Sequence, residues 1–230
     1  NRDLYVEPWS GYWALKWGDL LRNNRKQTGV AGMWSLFNWT RRALRENMPV
    51  DQFVREIITA EGSTLQNGPA NFYRIARTPT DLAEATAQVF LGVRIQCARC
   101  HHHPYESYSQ SDYYGLAAFF TRVGTKNNRK FDVLGGNAIV QLNSSGSITH
   151  PRLGKTMAPT PLLGKPIEVA GIRDLRRPLA DWLTSPENNL FARNIVNRIW
   201  SYYMGSGLVE PVDDLRATNP ASNPELLDAL

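Results

Sequence analysis

The stretch Thr78-Pro79-Thr80-Asp81-Leu82-Ala83-Glu84-Ala85 opens the segment on which the fold turns. Thr78 supplies a hydroxyl that can cap a helix, Pro79 suits the first helical position because its missing N–H is not needed there, and Asp81 completes a capping pattern. Leu82, Ala85, Val89 and Phe90 continue at helical spacing, which predicts a helix running toward Cys97. A second capping pattern, Ser109-Gln110-Ser111-Asp112, opens a helix carrying Tyr113, Leu116, Ala117 and Phe120. The segment Cys97-Ala98-Arg99-Cys100-His101-His102-His103 therefore falls at a junction between helices.

Toward the N-terminus the helical period persists. Trp13, Trp17 and Leu21 mark one helix, and Met33, Phe37 and Leu44 mark the next. A third begins near Val50 after Pro49, with Phe53, Val54, Ile57 and Ile58 on one face, and ends before Gly62. Toward the C-terminus the character changes between Gly124 and Gly171. Glycines, prolines and short β-favouring runs such as Ala138-Ile139-Val140-Gln141-Leu142 and Ile148-Thr149-His150 predict a small β-rich insertion. Helical pattern returns at Leu175, Leu179, Trp182 and Leu183, where Pro178 is tolerable if Asp174 caps the helix. A long helix over about 189–204 stops at Gly205. The expectation is a mainly α protein, a multi-helix domain with a small β-rich insertion between helices. Its parts are a helical region over 1–123, the insertion over 124–171 and a helical region over 172–230 that starts a further domain. Asn223-Pro224-Glu225 begins a capped helix close to the last residue, so the chain reads as part of a longer one.

The run Cys97-Ala98-Arg99-Cys100-His101 matches the attachment motif for haem c, in which two thiols add to the vinyl groups and the next histidine coordinates iron. Two residues between the cysteines let one tight turn present both sulfurs to one porphyrin edge. The motif uses both cysteines of the chain. A structural zinc site would ordinarily draw on a second pair of ligands at comparable spacing, and there is no second CxxC. Zinc held by Cys97, Cys100 and two of His101, His102 and His103 stays open as an alternative, as does a disulfide. A thioredoxin-type pair would follow a strand, whereas a helix precedes this one. If haem c is bound, His101 is the proximal ligand. His102 and His103 lie too close along the chain to reach the far face, so His150 is the histidine with reach to act as a distal ligand, set against an ordinary hydrogen-bonding role before Pro151. Met33, Met48, Met157 and Met204 are the thioether options, with core packing the competing reading for a Met such as Met33. Arg94 and Arg99 flank the motif and suit pairing with haem carboxylates. Asp213 and Asp214 are adjacent acids, read as solvated surface.

With 230 residues, of which 42% are hydrophobic, the chain can bury a sizeable core without a metal or disulfide crutch. Its net charge of +5 favours acidic partners, but the basic residues are dispersed along the chain, which argues against nucleic acid. No stretch approaches the ~18 consecutive apolar residues of a membrane helix. The expected partner is a redox protein.

Larger blocks carry a family resemblance. Phe90-Leu91-Gly92-Val93-Arg94-Ile95-Gln96, the CxxCH motif, His102-His103-Pro104-Tyr105 and Tyr113-Tyr114-Gly115-Leu116-Ala117-Ala118-Phe119-Phe120 closely resemble the second planctomycete cytochrome-C-like domain, and Asn47-Met48-Pro49-Val50-Asp51 fits the same family. Ala192-Arg193-Asn194-Ile195-Val196-Asn197-Arg198-Ile199-Trp200 and Gly207-Leu208-Val209-Glu210-Pro211-Val212-Asp213-Asp214 resemble the start of the planctomycete-specific domain that follows it. The resemblance implies an exported protein, periplasmic or at the cell surface, with other cytochrome domains in the same longer chain and haem c held by Cys97, Cys100 and His101. The preferred function is electron transfer; a peroxidase-like haem enzyme with an open iron site, or a non-haem binding module whose CxxCH holds zinc, are the alternatives. The triple histidine departs from the family pattern at His102, where a different residue is common.

Overall fold

The computed structural model describes residues 2–127 and 137–230, the side chains from Leu4 onward; residues 128–136 of the expected insertion lie outside them. The protein is mainly helical, with a three-stranded antiparallel sheet. It divides into two compact units, one formed by Asn1–Arg77 with Arg122–Ser144, the other by Thr78–Thr121 with Ser145–Leu230.

In the first unit, helices α1 (Arg2–Leu20) and α2 (Arg25–Arg45) pack together, and α3 (Val50–Ile58) follows. Asn24 caps α2 by accepting the Gln27 N–H at 3.1 Å, and Gly29 interrupts the helix at φ +72°. The helices meet through aromatic rings. Phe53 of α3 lies 4.8 Å from Trp17 of α1 and 4.8 Å from Trp39 of α2, stacked on the latter. These rings join Leu36, Val54, Ile57 and Ile58 in a core from which water is excluded, the term that drives burial of such faces. A tight turn at Gly68–Asn71 lies against α2, so close that a Cβ at Gly68 would stand 2.6 Å from the Ser35 carbonyl oxygen. It leads into α4 (Phe72–Ile75). The sheet has the order β1 (Gly62–Ser63), β3 (Ala138–Leu142), β2 (Val123–Asn127), with Gly62 opposite Val140 and Thr125 opposite the same residue on the other side.

In the second unit, α5 (Pro79–Thr86) begins with the expected reciprocal cap between Thr78 and Asp81. The helix does not reach Cys97. After α5 the chain widens into one π-helical turn, Ala87–Leu91, and ends at Gly92 in the left-handed conformation, φ +67°. A side chain at Gly92 would meet Asn194 Oδ1 at 2.6 Å and Leu215 Cδ1 at 2.8 Å, so left-handed backbone and close approach both require glycine. Helix α6 (Gln110–Ala118) carries the second reciprocal cap, Ser109 with Asp112, and packs on α5. The chain returns across α6 at Thr160, whose N–H donates to the Gly115 carbonyl at 3.0 Å. There a Cβ on Gly115 would press within 2.8 Å of the Thr160 Cβ. The run at Ile148–His150 forms no strand; Thr149 makes a single bridge to Thr156 within a turn.

Helices α7 (Arg176–Leu183), α8 (Asn189–Met204) and α9 (Pro224–Ala229) complete the unit. Leu175, not Asp174, takes the N-cap position of α7, and no side chain caps the helix there; Asp174, one residue earlier, instead accepts the Arg176 N–H at 3.0 Å and grips its fully buried guanidinium at 2.8 and 2.9 Å in a two-pronged ion pair. Gly205 closes α8 at φ +84°. No helix among the described residues is long and apolar enough to cross a membrane.

Candidate haem-attachment site

The CxxCH segment begins in a single 3₁₀ turn, Gln96–Arg99, between Gly92 and α6, with Cys100 at its C-cap and His101 just beyond. The turn closes on itself: the Cys100 and His101 N–H groups both donate to the Cys97 carbonyl, each at 3.3 Å. Ala98 points inward and is fully buried, which turns its neighbours outward. Cys97 and Cys100 are exposed free thiols at either end of this turn.

Hydrogen bonds separate the four histidines by which ring nitrogen bears the proton. In His101, Nδ1 lies 2.6 Å from the His102 carbonyl oxygen. A carbonyl only accepts, so Nδ1–H is the donor and the Nε2 lone pair of this exposed ring is left for a metal, the arrangement by which a backbone carbonyl orients a metal-bound imidazole. The other three are the reverse. Nδ1 of His102 accepts the Gln110 N–H at 3.4 Å, Nδ1 of His103 accepts the Tyr105 N–H at 3.3 Å, and Nδ1 of buried His150 accepts both the Arg152 and Leu153 N–H groups at 3.3 Å. A neutral imidazole that accepts at Nδ1 carries its proton on Nε2 and has no lone pair there for iron.

Two exposed thiols and one ligand-ready imidazole within a turn fit a group that needs two thioethers and one protein ligand, because a porphyrin brings its own four nitrogens. Zinc needs four side chains gathered around one point. Among the described residues no group of three or more His, Cys, Asp or Glu side chains is so gathered.

Both flanking arginines, though exposed, are engaged by acids of the chain. Arg94 donates to Asp213, and Arg99 lies 3.7 Å from Glu84. Asp213 also accepts from Gln88 at 2.6 Å. Burial pushes the Asp213 carboxyl up, yet hydrogen bonds from Arg94 and Gln88 together with the Arg94 charge outweigh it and hold the group below the ordinary carboxylate range. Asp214 pairs with Arg216 at 3.1 Å. These two acids are thus partly buried ion-pair members and not the solvated surface that adjacency suggested. Sequence reading missed this network, since Arg94 and Asp213 are far apart in the chain; its one trace was the charge of the two segments.

α8 braces the junction from behind. Asn194 donates to the Val89 carbonyl at 2.8 Å, Arg198 to the Gln88 carbonyl at 3.3 Å, and the Leu215 N–H to the Gly92 carbonyl at 2.7 Å. A widened π turn frees carbonyls from the helical ladder, and these donors take them up. Burial lowers the Arg198 guanidinium from its usual value against the opposing pull of Asp213.

On the α6 side, the buried Tyr113 hydroxyl donates to Glu84 at 2.5 Å, and burial followed by this carboxylate pushes the phenol far above its ordinary range. Tyr108 is pushed up to about 12 by burial first and then by the Glu106 and Asp112 charges. Tyr114 donates to the Arg99 carbonyl at 3.4 Å, and its ring lies 5.7 Å from the His150 ring. The fold therefore brings His150 to within one aromatic side chain of the CxxCH turn. Of the methionines, Met157 and Met204 share this unit, Met204 exposed at the end of α8, while Met33 and Met48 belong to the other.

No curated protein and no solved structure matches the chain. Residues 175–230 match PSD1, described as a protein of unknown function (DUF1553), the planctomycete-specific domain expected there. Residues 2–125 match PSCyt2, described as a protein of unknown function (DUF1549), whose name marks a cytochrome-like domain, and the chain belongs to this family.

Proposed function

We propose that the protein is an exported c-type haemoprotein with one haem attached through Cys97 and Cys100 and ligated by His101, and that it transfers electrons to a partner protein. The observation that carries this reading is the His101 ring, the one histidine of the four whose Nδ1 donates and whose Nε2 is left as a ligand. The exposed thiols of Cys97 and Cys100 supply the covalent link. When bound, haem would supply a one-electron iron couple. The residues of the chain orient it: the 3₁₀ turn presents the two sulfurs, and the His102 carbonyl fixes the imidazole. Export fits the same chemistry, since covalent haem attachment takes place outside the cytoplasm, where paired cysteines are also at home. The net charge of +5 suits a redox partner with an acidic surface.

One observation favours a second reading, an enzyme with an open iron position. His150 spends Nδ1 on two backbone N–H groups and is not poised to give Nε2 to iron. Addition of carbon monoxide to the reduced protein distinguishes the two: a ligand-induced spectral shift marks an open position, and an unchanged spectrum marks a six-coordinate electron carrier.

The test of the haem itself is a pyridine haemochrome spectrum and a haem-stained denaturing gel on protein from its native host. The expected result is a stained band that survives denaturation and disappears in the Cys97→Ala, Cys100→Ala double variant. A clean protein without haem signal overturns the reading.

A further inference from the structure

A cleft of about 500 Å³ opens within the second unit, beside the loop that runs from the CxxCH turn to α6. That is the size of a small-molecule site, and the walls are of the kind such sites have. Leu163, Leu190, Val209, Leu215, Leu227 and Pro220 make them mainly apolar, with a few polar groups set between. Cys97, Cys100 and His101 do not line the cleft, so it is separate from the haem-attachment turn.

The hydrogen-bonding capacity left over in the lining decides what fits. Both cations are engaged: Asp228 holds Arg193, and Asp214 pairs with Arg216 at 3.1 Å while the Tyr105 ring covers its guanidinium. Glu106 accepts the Ala217 N–H at 3.0 Å through one carboxylate oxygen, which leaves the other. Asn219 donates its two amide protons to the Glu210 and Asp214 carbonyls at 3.0 and 2.9 Å, so its side-chain oxygen is the atom left to accept. Tyr108 is the informative member. It lines the cleft at 4% exposure, and none of the described residues hydrogen-bonds its hydroxyl, yet that oxygen is not sealed inside the protein as Arg216 Nε is. The residue is held from behind, where its carbonyl accepts the His103 N–H at 2.8 Å and its ring meets the His103 ring edge-on at 6.2 Å. Burial pushes the phenol up to about 12, so at neutral pH it is a donor.

An apolar slot with one buried O–H donor and a carboxylate acceptor two residues away suits a neutral ligand with a hydroxyl of its own, which can accept from the one and donate to the other. An acid would face the Glu106 charge with both guanidinium groups already taken, and a cation would sit beside those two guanidinium groups. A sugar carries hydroxyls around its whole rim, more than this lining can satisfy, and each one buried without a partner costs free energy. A flat ring suits the leucine and proline walls, and an O–H bonded to a carboxylate is among the strong hydrogen bonds. We propose that the cleft binds an uncharged aromatic ligand with a phenolic hydroxyl, which accepts from the Tyr108 O–H and donates to Glu106. This site does not depend on the haem reading.

The test is equilibrium dialysis of the whole chain at neutral pH against three probes of one shape: 2-naphthol, its methyl ether 2-methoxynaphthalene, and 2-naphthoate. The ether can accept from Tyr108 but cannot donate to Glu106, and the naphthoate is an anion. The expected result is about tenfold tighter binding of the naphthol than of either other probe. Glu106→Ala should bring naphthol and ether within about twofold of each other, Tyr108→Phe should weaken both by about threefold or more, and Ala221→Phe, which fills the cleft, should weaken all three. The comparison of probes on the unmodified chain requires no variant to fold. Equal binding of naphthol and ether marks adsorption to apolar surface and overturns the proposal. So does naphthoate binding as tight as naphthol, naphthol binding that survives Ala221→Phe unchanged, or no naphthol bound at about 1 mM. The haemochrome of native-host protein reports on the haem reading separately, and neither result there alters the ranking of the probes.

Discussion

The Tyr114 and His150 rings lie tilted against each other, centroids 5.7 Å apart and planes inclined by 43°, and the Tyr114 hydroxyl donates to the Arg99 carbonyl inside the CxxCH turn. One aromatic side chain thus joins the two segments that carry the candidate ligands. The hydrogen bonds on His150, however, make it the clasp of its own loop: besides the two N–H groups at Nδ1, its backbone N–H and carbonyl close the turn onto Lys155 and Gly154 at 2.8 and 2.9 Å.

His150→Ala is therefore expected to destabilise the second unit by about 1–3 kcal/mol, the loss of two part-buried hydrogen bonds at about 0.5–1.5 kcal/mol each, measured by denaturant unfolding. In protein carrying haem, the same variant leaves the reduced absorption spectrum and its response to carbon monoxide unchanged. A spectrum converted from six-coordinate to five-coordinate would instead place His150 on iron.

The Asp213 carboxyl carries an acid limb of stability. Its pKa in the folded chain lies below the ordinary value, so the stabilisation is fully present above the unfolded pKa of about 4 and is lost as pH falls through the folded value. Arg94, Gln88 and the more distant Arg198 face it, and Asp214 adds its charge at Arg94. Denaturant midpoints measured downward from about pH 6 should fall most steeply below about pH 4, and Asp213→Asn should flatten that limb while lowering stability at neutral pH. Arg94 is largely exposed, which keeps its share of the effect small.

An alkaline limb follows from Tyr108. Its folded pKa of about 12 exceeds the free-phenol value of about 10, so the stabilisation holds below the unfolded pKa and disappears as pH rises through the folded one. Ultraviolet titration should find one tyrosine ionising near 12, absent in Tyr108→Phe.

Gly92→Ala sets an L-residue in left-handed backbone with its Cβ against Asn194 and Leu215. The conformational strain alone is of order 1–3 kcal/mol, and the contact adds to it. Thermal unfolding should shift down by several degrees, with the loss concentrated in hydrogen-exchange protection of the π turn and α8. An unchanged melting temperature would show that Gly92 has room the close approach denies.

The two family matches do not correspond to the two compact units. The stretch Thr78–Thr121 folds in one unit with Ser145–Leu230, through the bonds from Asn194, Arg198 and Leu215 to the π turn. A chain cut to residues 1–125 is expected to retain helix in 2–77 and to lose amide protection across 78–121, including the CxxCH turn. Full protection there would show that the CxxCH segment is self-sufficient.

Caps and apolar spacing are local, and the order of residues was therefore enough to find most of the helices and two of their starts, though α1 begins at Arg2, well ahead of the stripe that marked it. Thr78 with Asp81 and Ser109 with Asp112 close within four residues of each other, so their reciprocal bonds are legible in the order of residues alone. It also determined the CxxCH turn and the family, since both are written in consecutive residues. Tertiary structure decided the rest. That the helix after Thr78 stops at Gly92 depends on donors from α8 that bond the carbonyls of its widened turn, and on Leu215 closing against Gly92. That Asp213 and Asp214 are ion-pair members depends on where Arg94 and Arg216 come to rest. The protonation pattern of the four histidines depends on which backbone groups their rings face, and no spacing in the chain encodes it. Local patterns reach one turn of helix; ring orientation and buried charge are set by segments that meet only when the chain has folded.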